Sequence, residues 1–395
     1  MKYLYIILIV TLFTPLAQAQ DWLAGSNGNF ASEALDIAVD GNGNSVVIGY
    51  FSGQLQFNDS SIQASSGFSD AFLAKYSSTG QLLWLKKFGG NQIDRGQKVA
   101  IDNSNNIYIT GYFAGSMQMG ATTLNSNGGS REIFTAKLTT NGGVTWARSD
   151  GGSDEEIPYG IAVDGTGNVI ITGKFTGNTT IGSTSYSSQI NPANGSPSAD
   201  IFIAKFSTAG APAWTKKGNS REDDMGIAVT CDNANNIYVT GQYSDTMNFI
   251  GQTINNQVIN AGYVAKLTVN GDLTWFDKLG ATQTYASAIK INSNNEIYTT
   301  GNFLGTMFIQ ANAVTNQLTS PYVKKIFLIK LGTATGNYIW GRAQGSDSDL
   351  TSRGLTIDNA QNVFICGDFR CNFDEYRDST DTGLWNTVGF RDIFV

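Results

Sequence analysis

The sequence predicts an all-β protein, a β-propeller of about six four-stranded blades, and three observations support this. A segment of about sixty residues recurs six times along the chain of 395 residues. Each copy consists of short apolar runs separated by turn residues, which is the pattern of strands. The copies follow one another without linkers, and their length differences fall at one place in the repeat. Such repeats are typical of blades arranged around a channel.

The first two strands of a unit flank a tight turn, as in "GIAVDGTGNVIITGKF" at residues 160–175. The continuous apolar run before the turn suits a strand that is buried on both faces. The turn is rich in Asp, Asn and Gly, which bond to the backbone and tolerate positive φ. The β-branched and aromatic run after it predicts strand two.

The spacing after the turn residue is strict. A glycine follows nine positions later in every copy, and the pairs are Asp40 and Gly49, Asp102 and Gly111, Asp164 and Gly173, Asp232 and Gly241, Asn292 and Gly301, and Asp358 and Gly367. The aromatic residue two positions beyond each glycine is predicted to lie in the core. These residues are Phe51, Phe113, Phe175, Tyr243, Phe303 and Phe369.

Strand three is the run typified by "DIFIAKF", and strand four begins at a Trp. The Trp lies 18 positions before the turn residue in five copies and 17 in one: Trp22, Trp84, Trp146, Trp214, Trp275 and Trp340. One Trp per unit at constant phase favours packing between blades over a sugar platform. The stretch from each glycine to the next Trp varies from 34 to 41 residues. The inserts there are predicted to be loops or edge hairpins outside the core.

Residues 1–19 predict a signal peptide, with Lys2, an apolar run and a small-residue cleavage site before Gln20. The protein is therefore expected to be exported, to the cell surface, the periplasm or the medium, and to have no transmembrane segment once processed. Residues 20–395 are predicted to form one propeller domain. Its repeat units span about 22–83, 84–145, 146–213, 214–274, 275–339 and 340–395.

The two ends predict how the ring closes. The mature chain starts with a fourth strand at Trp22, and the last unit reaches Val395 within its third strand. Residues 21–28 are therefore predicted to complete the sixth blade, which would leave no open joint. A seventh blade in a longer chain is the alternative.

Composition excludes several function classes. The chain has no His, which removes Ser-His-Asp and Cys-His catalysis and His-ligated metals. Removal of Lys2 leaves 24 basic against 32 acidic residues, so nucleic acid and anionic membranes are poor partners. A monomer without a cofactor is expected. Cys366 and Cys371 suit either a disulfide or, with Cys231, free buried thiols.

Calcium is the one cofactor that the turns suggest. Sequences such as "DGNGN" at residues 40–44 resemble the start of a calcium loop, in which alternate residues supply oxygen ligands. No Glu stands at the downstream position that a full loop requires. A plain hairpin turn is the simpler interpretation.

The motifs "GIAVD", "NNIYVTG" and "DIFIAK", followed by the Trp, resemble those of SBBP-repeat proteins, a β-propeller family common in exported proteins of the Bacteroidota. The resemblance covers essentially residues 21–395. It implies the propeller fold, and it supplies no catalytic motif, so it leaves the function open.

Acidic residues gather in the connections from strand four of one unit to strand one of the next. These candidate ligand-binding residues are Asp94, Asp154, Glu155, Glu156, Glu222, Asp223, Asp224, Asp347 and Asp349. They predict either an acidic binding face or solvated loop charge. Trp385 is out of phase with the other Trp residues and is the best aromatic candidate for ligand contact.

Three functions follow from these observations. The first is a non-enzymatic, exported scaffold that binds an unknown protein or glycan. The second is a hydrolase or lyase that uses paired carboxylates such as Glu156 and Asp224 on a polysaccharide. The third is a structural repeat module of a larger adhesin.

Overall fold

The structure is a computed structural model that describes residues 32–57, 60–64, 68–128, 131–255, 260–280, 283–309, 318–345, 350–369, 373–374, 384–385 and 392–394. Every regular secondary-structure element in these residues is a β-strand, which confirms the predicted all-β class. The strands form propeller-like repeats in the predicted order. Within these same ranges, no helix is long and apolar enough to cross a membrane.

Six units follow one another along the chain. The first comprises β1 (Ser32–Val39), β2 (Ser45–Ser52), β3 (Gln54–Phe57), β4 (Ser60–Gln63), β5 (Ser69–Tyr76) and β6 (Leu82–Gly90). The second comprises β7 (Asp94–Ile101), β8 (Ile107–Phe113), β9 (Ser116–Met119), β10 (Thr122–Asn125), β11 (Glu132–Leu138) and β12 (Val144–Gly152). The third comprises β13 (Glu156–Val163), β14 (Val169–Thr176), β15 (Asn178–Ile181), β16 (Thr184–Ser187), β17 (Ala199–Phe206) and β18 (Pro212–Asn219).

The later units follow the same plan. The fourth comprises β19 (Met225–Cys231), β20 (Ile237–Tyr243), β21 (Met247–Phe249), β22 (Gln252–Ile254), β23 (Ala261–Leu267) and β24 (Leu273–Gly280). In the fifth, the insert is continuous with strands two and three: β25 (Gln283–Ile291), β26 (Glu296–Ile309), β27 (Leu318–Gly332) and β28 (Tyr338–Gln344). The sixth comprises β29 (Leu350–Ile357), β30 (Val363–Phe369), β31 (Phe373–Asp374), β32 (Leu384–Trp385) and β33 (Asp392–Phe394).

Strands one to four pair antiparallel in chain order in the first five units, as β1-β2-β5-β6 does in the first. The described part of the sixth unit contains the first three, β29-β30-β33. A β-bulge interrupts strand one at the same place in all six units, for example between Pro158 and Gly160 in β13. Bulges increase local twist. The recurrent glycine lies opposite this bulge, and a Cβ at Gly173 would be 2.1 Å from the Ile157 main-chain oxygen. The close approach of strands one and two therefore requires glycine at that position.

The turn between strands one and two is built by its Asp. In the third unit, Asp164 Oδ1 accepts the main-chain N–H groups of Thr166 and Asn168 at 3.0 and 2.9 Å. Its Oδ2 forms an ion pair of 2.8 Å with Lys205, and both side chains are almost fully buried. Burial alone would raise the pKa of Asp164, but the hydrogen bonds from Lys205 and Asn168 outweigh it and bring the pKa to about 2.

The inserts form hairpins that join neighbouring blades. Strand β15 pairs with β16 and also with β12, the fourth strand of the preceding unit, through Thr179 opposite Gly152. The same pairing joins β9 to β6, β21 to β18 and β26 to β24. The inward-facing side chains Met117, Ile181 and Phe249 are fully buried. The prediction that the inserts lie outside the core is therefore wrong for β9, β15 and β21, the hairpin strands that carry these side chains. These strands fill the seam between two blades.

Strand one is the innermost strand, since strand one of each unit contacts strand one of the next from β1 to β29. The side chain of Lys290 in β25 is exposed to solvent, yet its neighbourhood is dense enough to lower its pKa by desolvation. Asp36 in the first unit raises that pKa and Lys98 in the second lowers it further. Charged side chains of the first, second and fifth units thus lie close enough together to affect the pKa of Lys290.

The Trp of strand four packs against the next blade. Trp146 Nε1 donates a hydrogen bond of 3.0 Å to the Thr208 main-chain oxygen, and Trp214 and Trp275 make the equivalent bonds to Val269 and Thr333. Beneath the Trp146 ring lies Gly210, where a Cβ would be 2.8 Å from the ring. These contacts confirm the packing interpretation of the Trp repeat in the described units.

The core prediction for the aromatic residue after the glycine is also confirmed where its burial is described. Phe51, Phe113, Phe175, Tyr243 and Phe303 are all at most 1% exposed. In the sixth unit, β33 pairs with β30 as strand three, with Phe394 opposite Gly367. The predicted pairing of this strand with residues around Trp22 lies outside the described residues.

Ring closure predicts that Trp22 stabilises the fold as Trp84 does. In the chain from residue 20 onward, Trp22→Ala and Trp84→Ala should each lower the free energy of unfolding by about 2 kcal/mol or more, measured by urea denaturation. Ile37 and Val39 in β1 are apolar, yet their side chains are 41% and 57% exposed. A completed sixth blade would cover them. A neutral Trp22→Ala beside a destabilising Trp84→Ala would contradict closure by this segment.

Candidate functional site

The acidic residues predicted as a binding face divide into a buried and a surface group. Asp94, Glu156 and Asp224 are fully buried. Each lies eight positions before the turn residue of its unit, where strand one begins. The prediction that these three form an exposed acidic rim is therefore wrong, because the insert hairpin and the preceding blade cover them.

Each buried acid faces a second acid on strand three of the preceding unit. Asp94 lies near Asp70, and Asp224 lies near Asp200, close enough for the first residue's pKa to be raised by the second. Glu156 lies near Glu132, and both side chains come within 2.7 Å of the position of a Cβ on Gly151. Three consecutive seams therefore contain a buried carboxyl pair.

The buried acids are only half satisfied by hydrogen bonds. Asp94 Oδ2 accepts the Gly90 N–H at 2.7 Å, and Glu156 Oε2 accepts the Gly152 N–H at 3.2 Å. Asp224 Oδ1 accepts from Ser220 Oγ and from the Ser244 N–H, each at 3.0 Å. The second oxygen of each of these three carboxyls has no partner.

Burial raises the pKa of Asp94 and of Glu156 to about 8. The hydrogen bonds from backbone N–H groups lower these pKa values and offset only part of the effect of burial. The pKa of Asp224 is also raised, again chiefly by burial. A neutral carboxylic acid avoids the cost of an uncompensated buried charge. Asp94 and Glu156 therefore carry a proton at neutral pH.

The pattern stops after the third seam. The position of Asp94 is taken by Thr284 in the fifth unit and by Leu350 in the sixth. The position of Asp70 is taken by Ala261 in the fourth unit and by Lys325 in the fifth. The last two seams in the described part of the chain thus lack the acid pair.

The surface group stays near solvent and pairs locally. Glu155 accepts from Arg131 at 2.6 Å and forms an ion pair of 3.0 Å with Lys174. Exposed Asp154 and Glu222 accept from Ser153 Oγ and Asn191 Nδ2, and Asp223 accepts the Ala199 N–H. These four residues remain candidates for ligand contact.

The other candidates are only partly described. Asp347 and Asp349 lie outside the described residues. The backbone of Trp385 lies in β32, where it pairs with Phe373 of the sixth insert. Cys371 is also outside the described residues, so a disulfide to Cys366 stays a prediction. Cys231 is a free thiol whose pKa is raised to about 12 by burial.

A pocket of about 410 Å3 opens where the acid pairs are absent. It lies at the start of β25 and β29, the strands that line the channel in the fifth and sixth units, and we call it the mouth pocket. Its lining residues are Gln242, Asn260, Gln283, Thr284, Tyr285, Asn302, Phe303, Leu304, Lys324, Thr351 and Arg353.

The mouth pocket is polar with an aromatic wall. Tyr285 is 37% exposed, whereas Phe303 is buried behind it. Burial raises the pKa of the Tyr285 hydroxyl and the nearby Arg353 opposes this, so the phenol is protonated at neutral pH. Amide side chains supply both donors and acceptors. The pocket can therefore hold a ligand that has several hydroxyl groups and one apolar face.

Sequence reasoning missed this pocket because it searched for recurring residues. The signal lay in the exceptions, namely Thr284 and Ala261 where earlier units carry acids. Of the lining residues only Phe303 belongs to the recurring pattern, as the core aromatic residue of the fifth unit. The turn aspartates considered for calcium, such as Asp40, accept hydrogen bonds with both oxygens, from Asn42 and Asn44. In the described part of the chain no group of three or more acidic or Cys side chains is placed to hold a metal ion.

Comparison with known proteins agrees with the fold. The family model described as "Beta-propeller repeat" (SBBP) matches residues 83–112, which run from strand four of the first unit into strand two of the second. The resemblance to SBBP repeats is thus confirmed. An uncharacterised WD repeat-containing protein of Acanthamoeba polyphaga mimivirus is 30% identical over 200 residues, 45% of this chain. The match covers only 14% of that relative's length.

Two solved structures show distant similarity. A protein of unknown function from Bacteroides caccae is 9% identical, with a TM-score of 0.39, over 78% of this chain and 80% of that one. The biofilm matrix protein Bap1 of V. cholerae is 10% identical, with a TM-score of 0.21, over 92% of this chain and 77% of that one.

The buried acids predict stability that falls as pH rises. Asp94 and Glu156 have a pKa near 4 in the unfolded chain and of about 8 in the folded protein. Between these two pH values, both carboxyl groups are protonated in the folded protein and ionised in the unfolded chain. Across that window, each should reduce the free energy of unfolding by up to about 1.4 kcal/mol per pH unit. Asp40 and Asp164, with pKa values of about 2, do not titrate there.

Urea denaturation from pH 5 to 8.5 measures this slope. Glu156→Gln keeps the side chain neutral and should reduce the slope by the share of that one group, whereas Glu222→Gln, at an exposed acid of the next connection, should leave the slope unchanged. Equal slopes for the wild type and Glu156→Gln would contradict a proton held at this seam.

Proposed function

We propose that this chain, which carries SBBP β-propeller repeats, is an exported, non-enzymatic scaffold that binds a glycan through the mouth pocket. The exported location rests on the signal peptide predicted at residues 1–19. The binding role rests on the polar concavity at the channel end, where strands of three units meet.

One observation carries the glycan assignment. The pocket combines the exposed face of Tyr285 with amides from two units, Gln242 and Asn260 in the fourth and Gln283 and Asn302 in the fifth. The hydroxyls of Thr284 and Thr351 complete its polar lining. A sugar ring presents an apolar face that packs on an aromatic ring and hydroxyls that need donors and acceptors at its edge. A protein ligand would engage a larger surface than this pocket offers.

Hydrolysis by paired carboxylates has less support. A glycosidase needs two accessible carboxyl groups across a cleft. Among the described residues that line the mouth pocket there is no carboxylate. Glu156 and Asp224, the pair first considered for this role, are buried in different seams.

A role as one module of a larger adhesin is the second candidate. It is favoured by the length of the mimivirus relative, of which the match covers 14%. In that case the seams would bear mechanical load, and the surface acids Asp154, Glu155, Glu222 and Asp223, with Trp385, would be candidates for contact with a neighbouring domain.

The mature chain, residues 20–395, should bind glycans on an array, and Tyr285→Ala should weaken binding at least tenfold by calorimetry, because it removes the stacking face. The matched control is Phe68→Ala, another exposed aromatic, 58% exposed and in the first unit. Retention of full affinity in Tyr285→Ala, or loss of equal size in Phe68→Ala, would contradict binding at the mouth pocket.

A further inference from the structure

The mouth pocket has an unusual charge for this protein. The whole chain carries a net charge of −7, and the three preceding seams hold carboxyl pairs at the positions where the pocket opens. At the seam beside the pocket these positions are Ala261 and Thr284, and the charged residues among the described lining are Lys324 and Arg353. Neutral residues thus replace the acids at this seam, and the fifth and sixth units each add one cation to the pocket.

Arg353 is held in place at the pocket wall. Its Nε donates a hydrogen bond of 2.8 Å to Asp368 Oδ1, while 62% of its side chain remains exposed. A guanidinium has five N–H donors, so one bond from Nε fixes the plane and leaves the terminal nitrogens for a further acceptor. Lys324 is exposed and adds a second positive charge to the same pocket.

The amides also favour a ligand that accepts hydrogen bonds. The Asn260 side-chain oxygen accepts from Ser244 Oγ at 3.0 Å, and the Asn302 side-chain oxygen accepts the Ser352 N–H at 3.2 Å. The protein thus occupies the acceptor end of both amides, and the donor end is the part that a ligand would meet. Together with the two cations, this makes the pocket rich in donors.

We propose that the mouth pocket selects an acidic saccharide, one whose sugar ring carries a carboxylate or a sulfate group. This rests on the proposed glycan-binding function and names the class of glycan. The anionic group binds between Arg353 and Lys324, the ring packs on Tyr285, and the amides of Asn260 and Asn302 donate to ring oxygens and hydroxyls. A planar carboxylate matches the paired donors of a guanidinium, whereas Lys324 serves as a point charge for either anion.

Calorimetry with three oligosaccharides of equal length tests the proposal on the mature chain. The ligands are an oligogalacturonate, its neutral methyl ester, and an oligosaccharide that carries sulfate groups but no carboxylates. At low salt an acidic ligand should bind at least about tenfold tighter than the ester, which corresponds to one charge-assisted hydrogen bond. The preference should shrink as salt is raised, because the site is open to solvent.

Variants show whether the preference belongs to this pocket. Arg353→Gln and Lys324→Gln should each lower the affinity for the acidic ligand by a larger factor than the affinity for the ester, so the preference for the acidic ligand shrinks. Arg221→Gln removes an exposed positive charge of the third-to-fourth connection and serves as the matched control. An equal loss in Arg221→Gln would mean nonspecific charge attraction and would overturn the proposal.

The outcomes separate this inference from the proposed function. Equal affinity for the oligogalacturonate and its ester would overturn acid selection while glycan binding stands. Binding of none of the three ligands, together with no signal on the array, would overturn both. Tight binding of the sulfated ligand alone supports an anion site whose natural anion is a sulfate ester, and tight binding of the uronate alone supports a carboxylate.

Discussion

The structure depends on one interaction, the pairing of the insert in each of the second to fifth units with the fourth strand of the preceding blade. A single four-stranded unit cannot bury both of its faces, so a propeller exists only if neighbouring units are held in register. Strand β15 provides this at the third unit by pairing with β12, and Ile181 fills the seam behind it. In this seam the two strands approach closely, since a Cβ at Gly152 would lie 1.8 Å from the Asn178 main-chain oxygen. The Trp146 bond to Thr208 joins the same two units, and the ion pair of Lys205 with Asp164 ties strand three of the third unit to its own turn.

The same seams explain why buried acids recur. Glu156 lies directly beneath the joint and accepts the Gly152 N–H, so it helps to orient the strand end that the hairpin meets. Burial raises the pKa of Glu156 to about 8, so the joint loses stability as pH rises from about 4 to about 8 rather than as pH falls. Where Thr284 and Ala261 replace the acids, the seam opens into the mouth pocket. Three seams thus carry buried acid pairs, and the proposed binding site lies at a later seam that lacks them, as expected of a scaffold on which function is local.

The strands could be predicted from sequence because each is determined locally. The Asp164 turn, the glycine at 173 and the Trp at 146 each satisfy a requirement within one or two strands, so their spacing repeats. The role of the inserts could not be predicted, because pairing between Thr179 and Gly152 joins different units and leaves no local pattern. Glu156 was misread as a surface acid because carboxyl groups are seldom buried. Its constant distance from the turn residue was the available signal, since a solvated loop charge needs no fixed register.

The central claim is that hairpin pairing across the seam holds the blades together, and Gly152→Ala tests it most directly. Hydrogen exchange of the amides in Asn178–Ile181 should be measured together with thermal unfolding, in Gly152→Ala and in the control Gly143→Ala. Gly143 is exposed, and a Cβ there would lie 3.2 Å from the Thr139 hydroxyl oxygen. The account predicts that Gly152→Ala loses protection in β15 and unfolds at a lower temperature, while Gly143→Ala does neither. Unchanged protection and an unchanged melting temperature in Gly152→Ala would contradict it.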